Sequence, residues 1–361
     1  MTEYFIHDIE RMSMRDLTLH SLVNQFYFFL QTAELQDRRI ASGIETFLNF
    51  RKYGLPIFII LGLLGNCLSA IVLFRKKMRS FSSNIYLGVI TISDIVYSTT
   101  LLIRWLELMD IKPNKNYLFW FKTFIVFLNY ISEFLSVWLI VAFTIERYIV
   151  TKYPLLRRSW CTVKRAKIVV ITLMGIAILR SILYILFHIM MNKIIEEKRK
   201  TNMFHAFEFI RFHHQKGIIR IKNIIDSIII FTLPALVIVI CNTLIGYHIY
   251  QQNRVRKTMI TASDSSNERI KISNDKMLQR KITKMLILVS STFVILKLPE
   301  YFFFYIFNNL MKYVNVLVMM LTFQLLDMAH CSINFVLYCA TGQIFRRELI
   351  HLFTKRTNIK N

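Results

Sequence analysis

Seven long apolar blocks constrain this chain more than any other feature. They lie at about 55–74, 84–106, 118–150, 168–191, 222–250, 282–308 and 314–340. Each supplies the roughly 20 residues that a helix needs to cross about 30 Å of hydrocarbon. Within the blocks Leu, Ile and Phe run without period-2 alternation, so the backbone must satisfy itself as helices rather than as a closed barrel. With 361 residues, 55% of them hydrophobic, the chain reads as a polytopic membrane protein and not as two soluble domains.

The formal charge of +24 is concentrated in the connectors: Arg75-Lys76-Lys77 with Arg79, Arg157 to Lys167, the 254–284 segment, and Arg346-Arg347 onward. Lys and Arg are more numerous on the side of the blocks that holds Arg147, which directs that side to the cytoplasm and the N-terminus outward. The 192–222 connector is basic too, so the bias is modest. Anionic lipid headgroups account for such charge, and nucleic acid is not implied. The cysteines, Cys67, Cys161, Cys241, Cys331 and Cys339, fall in the blocks or on the Arg147 side, where no exterior disulfide forms.

Polar residues inside the blocks carry the functional information, because each is costly in hydrocarbon unless it meets a partner or water. Gly65-Asn66 marks the first block and Asp94 the second. In the third, Asn129, Glu133 and Ser136 precede Arg147 by 18, 14 and 11 residues, close to five, four and three helical turns. These four share one face, with Phe127, Phe134 and Val141 expected elsewhere, and a polar stripe of this kind marks a bundle interior. The block ends in Glu146-Arg147-Tyr148, followed by Pro154; an interfacial anchor is the plainer reading of that tripeptide alone. Arg180 lies in the fourth block. Asp226 and Pro234 lie in the fifth, where the proline implies a kink. The sixth holds Phe293, Lys297, Pro299 and Glu300; the seventh places Asp327, Asn334 and Tyr338 on one face. Residues 343–353 form a short amphipathic helix suited to a membrane surface. A surface helix over 17–35 and a polar linker over 251–281 complete the outline.

This order of motifs, Gly65-Asn66, Asp94, Glu146-Arg147-Tyr148, Pro234, Phe293…Pro299 and Asn334…Tyr338…Phe345, resembles the rhodopsin-like (class A) G-protein-coupled receptors over about 54–353. The phrases SVWLIVAFTIERYI, CTVKRAK and SINFVLYCATGQIFRREL are most similar to invertebrate FMRFamide-type neuropeptide receptors. The resemblance implies an all-α membrane fold: an extracellular segment 1–53, a seven-transmembrane bundle 54–341, and an amphipathic eighth helix and tail 342–361. It implies a multi-pass receptor in the plasma membrane, with an extracellular peptide ligand and a heterotrimeric G protein as partners.

The same resemblance implies residue roles. Glu146, Arg147, Tyr148, Pro154, Phe293, Pro299, Asn334 and Tyr338 would serve coupling, with Pro299 hinging an outward swing of the sixth helix. Asp94, Ser136 and Asn334 match a sodium pocket, a set whose oxygens also suit water alone. A ligand pocket maps to Arg104, Asn129, Glu133, Asp226, Lys297, Glu300 and Asp327. Its acids favour a ligand with a cationic group, whereas the basic 192–222 connector favours an acidic peptide.

Four positions depart from the family pattern: Lys122 replaces the bridging cysteine, Lys297 the aromatic switch, Phe335 the seventh-helix proline and Asn242 the fifth-helix tyrosine. Lys297 leads to an expected buried cluster with Glu133 and Asp327; the alternative is a lysine reaching cavity water. An orphan chemosensory receptor of the same fold stays open, as does a transporter using the intramembrane charges. Against the transporter stand the odd number of blocks and the lack of an internal repeat. No nucleophile–base pair or phosphate loop suggests an enzyme, and no cofactor is expected beyond sodium.

Overall fold

The computed structural model describes residues 49–108, 115–153, 155–200, 224–260, 283, 287–299 and 313–357. Pro154, Glu300, the 17–35 segment and most of the 251–281 linker lie outside them. Seven helices follow the seven apolar blocks: α1 Leu55–Leu73, α2 Ser82–Leu108, α3 Lys115–Lys152, α4 Val163–Lys200, α5 Leu233–Ile260, α6 Ile287–Pro299 and α7 Tyr313–Thr341. Gly342 then separates α7 from α8, Gln343–Thr357. Five of these helices are long and apolar enough to cross a membrane; α6 and the Leu325–Ala340 part of α7 are shorter apolar helices among the described residues.

The helices outrun the apolar blocks. α4 continues past residue 191 to Lys200, and α5 runs to Ile260, into the stretch expected as linker. Helical backbone satisfies its own hydrogen bonds whether or not the side chains are apolar, so polarity alone does not end a helix. At about 57 Å, the 38 residues of α3 and of α4 exceed a hydrocarbon core.

Two prolines shape helix entries in the same way. Pro56 and Pro234 each lack the N–H that would bond four residues back, and their rings crowd that turn. In each case the chain widens to a π turn ending two residues earlier, at Phe50–Gly54 and Ile228–Thr232. Leu55 N–H thereby reaches Phe50 O, and Leu233 N–H reaches Ile228 O, five residues back. At Pro234, where the sequence implies a kink, the structure shows this π turn, and helical structure begins ahead of the boundary at 53.

α3 is the hub, packing against α2, α4 and α5, while α1 packs on α2 and α7. Its buried residues include Phe134, Leu135, Ser136, Val137, Leu139, Ile140, Val141 and Phe143. Phe134 and Val141 therefore also face protein: a central helix is covered on nearly all sides, and its apolar residues pack against neighbours as its polar stripe does. Large apolar side chains on α1, α4 and α5, among them Leu61, Ile171, Leu183 and Leu236, are exposed, as lipid-facing surfaces require. No disulfide forms; all five cysteines are free.

Candidate functional site

The polar side chains of the spans meet in three separate clusters spaced along α3. On the side far from Arg147, Asn129 Nδ2 donates to Thr100 Oγ1 of α2 at 3.1 Å. Two turns on, Ser136 Oγ donates to Asp94 Oδ1 at 3.0 Å, while Asn334 Nδ2 of α7 donates to Asp94 Oδ2 at 2.8 Å. At the other end Arg147 Nη2 pairs with Glu146 Oε1 at 2.9 Å, and Ser82 Oγ of α2 donates to the same oxygen at 2.7 Å. Both Glu146 and Arg147 are buried. Such a pair needs these extra hydrogen bonds, because desolvation offsets much of its attraction.

Asp94 is fully buried and ties its own helix, α2, to α3 and α7. Elsewhere in the bundle Ser69 Oγ of α1, Ser98 Oγ of α2 and Ser332 Oγ of α7 are buried without a protein partner among the described residues. Polar atoms of this kind are met by water or by an ion. One carboxylate with hydroxyl and amide oxygens beside it has the hard-oxygen chemistry of a small cation site.

α7 is drawn onto α1 by matched size. Asn66 Nδ2 donates to the Cys331 carbonyl at 2.9 Å, and a Cβ placed on Gly65 would lie 3.1 Å from Phe335 Cβ. The glycine and amide thus allow close approach and supply its polar bond, as small residues do between membrane helices. Phe335 and the buried Tyr338 both pack on Phe345 of α8, with ring centroids 6.3 and 5.6 Å apart. Glu348 of α8 pairs with Arg75 at 3.4 Å and Lys77 at 3.3 Å, fixing α8 to the α1–α2 connector.

The expected pocket residues that the structure describes lie in the far half of the bundle. Lys297 Nζ of α6 pairs with Asp327 Oδ1 of α7, and Tyr97 OH of α2 donates to Asp327 Oδ2 at 3.1 Å. One turn nearer the Arg147 end, Phe293 meets His330 edge-on at 5.4 Å. Glu133 is half-buried on α3, as is Arg104 on α2. Asp226 pairs with Arg180 of α4 at 3.0 Å, and that guanidinium lies over Tyr130 and Phe134 of α3. The sequence sets Arg180 against the pocket acids without assigning it to one of them, because the blocks do not show which neighbour it turns toward; the structure pairs it with Asp226. Sequence reading also missed Tyr97 and Thr100, since hydroxyls are common in strongly apolar helices and carry no periodic signal.

These features define a polytopic helical membrane protein with polar clusters at several levels of one central helix. The chain belongs to the rhodopsin family of seven-transmembrane receptors: the family model "7 transmembrane receptor (rhodopsin family)" matches residues 65–338. Similar proteins include the FMRFamide receptor of Drosophila melanogaster, 25% identical over 82% of this chain and 52% of that protein. The FMRFamide peptide receptor frpr-18 of Caenorhabditis elegans is 28% identical over 31% of this chain and 27% of its own. The galanin-like G-protein coupled receptor npr-9 of the same animal is 29% identical over 27% and 22%. The chain spans about half the length of the Drosophila relative.

Proposed function

We propose that this chain is a receptor for an extracellular amidated peptide, coupled to a heterotrimeric G protein at its Arg147 end. The observation that carries the reading is the set of polar contacts α3 makes at three levels, Asn129 on Thr100, Ser136 on Asp94 and Arg147 on Glu146, with buried apolar residues packed between the last two. An event at one end of such a helix biases the contacts at the other without crossing lipid. Similarity to two receptors named for FMRFamide peptides supports a peptide ligand.

In this reading the N-terminus is extracellular, the protein sits in the plasma membrane, and α6 swings outward about Pro299. The ligand's charge follows from the resident pairs. Asp327 and Asp226 already hold Lys297 and Arg180, so a cationic peptide group competes with a built-in ammonium or guanidinium. Displacing Lys297 from Asp327 loosens α6 from α7, which joins ligand binding to helix movement. Around Asp94 the bundle holds a sodium ion in the resting state.

Cells expressing the chain, exposed to amidated peptides and read for calcium and cyclic nucleotide together, test this. Responses to amidated peptides that vanish for their free-acid forms are expected. Responses absent across arginine-bearing amidated peptides would contradict the ligand class.

A further inference from the structure

α6 is fastened at two levels. Toward the far end Lys297 ties it to α7; nearer the Arg147 end Asn242 of α5 ties it sideways. Asn242 Nδ2 donates to Ser290 Oγ at 2.9 Å and to Ser291 Oγ at 3.3 Å. The Ser290 hydroxyl hydrogen has two acceptors in reach, Asn242 Oδ1 at 3.3 Å and the Ile287 carbonyl at 3.2 Å. Ser290 is fully buried, so water does not compete for its hydroxyl. Val289 and Phe293, on either side, are buried as well, which holds the serine pair in register with the amide.

The sideways tie and the lengthwise one differ in what they resist. Lys297–Asp327 lies two turns beyond Ser290 along α6, two residues before Pro299. A tilt of α6 about its proline end leaves the ion pair near the pivot and moves Ser290 and Ser291 through a larger arc. The amide clasp is therefore the contact that such a tilt must break. An asparagine gives both a donor and an acceptor to one serine pair, so a single side chain closes the clasp.

We infer that Asn242 is a positioning residue that latches α6 shut through Ser290 and Ser291, and that the strength of this clasp sets the ligand-free activity. The inference rests on the receptor reading above for its link to activity, but the clasp itself is tested without ligand or G protein. Hydrogen–deuterium exchange is followed on the full chain in lipid nanodiscs for wild type, Asn242→Leu, Ser290→Ala and the double variant. Interhelical hydrogen bonds in membranes set the scale at roughly a three- to tenfold change in the open fraction. The account expects faster exchange of that size over 287–292, with 293–299 and α7 unchanged. It also expects the double variant to exchange no faster than Asn242→Leu, with Ser290→Ala, which keeps the bond to Ser291, opening less. Equal exchange in all four proteins, additive effects, or a rise spread over the whole bundle would overturn the clasp.

In the same preparations, nucleotide exchange on an added G protein is expected to rise in step for Asn242→Leu with unchanged thermal stability. Faster amide exchange with no rise in nucleotide exchange would overturn the link to coupling while the clasp stands. Asn242→Gln, which keeps the carboxamide, is expected to restore part of the closed state; a Gln variant as open as the Leu variant contradicts the hydrogen-bond assignment.

Discussion

Lys297 Nζ and Asp327 Oδ1 form an ion pair between α6 and α7, in the part of the bundle where Tyr97 OH also reaches Asp327. Both charged side chains are largely buried. Removing one partner leaves the other uncompensated in a low-dielectric interior, at a cost of about 3–5 kcal/mol. Lys297→Met and Asp327→Asn should each sharply lower surface expression and thermal midpoint. The double variant, which removes both charges, should recover most of the loss. A double variant as damaged as the singles would show that the charges matter for something other than each other.

Gly65 on α1 leaves no room beside Phe335 of α7. Gly65→Val should push the helices apart and cost about 1–3 kcal/mol, as overpacking does. Adding Phe335→Ala should restore the thermal midpoint of the purified protein in part. If Gly65→Val alone melts like wild type, the α1–α7 approach is looser than described.

The α8 clasp sets the partly exposed Arg75 and the exposed Lys77 on the buried carboxylate of Glu348, so salt reaches its cationic side and weakens it. Glu348→Ala should speed amide exchange across 343–357 and leave α3 unaffected. High salt should move wild type toward the variant. Exchange in α8 that ignores both changes would assign its docking to Phe345 and the aromatic contacts alone.

Asp94 offers the test for sodium. At equal ionic strength, replacing choline chloride by sodium chloride should raise the thermal midpoint of wild type by a few degrees, following the mass-action term for a ligand of the folded state. Asp94→Asn should remove that response. A wild-type protein indifferent to sodium would mean that water fills the space around Asp94.

Much of this architecture was legible in the sequence, for a physical reason. In hydrocarbon a polar group without a partner is so costly that its presence announces one, and Asp94, Asn66, Lys297 and Asp327 each carried that signal. Periodicity placed Asn129, Ser136 and Arg147 on one face of α3, and each of the three has a polar partner there. What periodicity does not carry is pairing across helices. Nothing in the spacing of Arg180 directs it to Asp226, or of Asn242 to Ser290, because rotation and tilt of neighbouring helices are set by packing of whole faces. Helix ends were also hidden, since Lys200 and Ile260 lie in helix that the apolar pattern had already left.

The most direct test of the central claim is nucleotide exchange on a heterotrimeric G protein added to the purified chain in nanodiscs, with and without an activating amidated peptide. The account predicts exchange stimulated by peptide in wild type and abolished in Arg147→Ala, with peptide binding retained. Binding without stimulation in wild type, or stimulation that survives loss of Arg147, would contradict it.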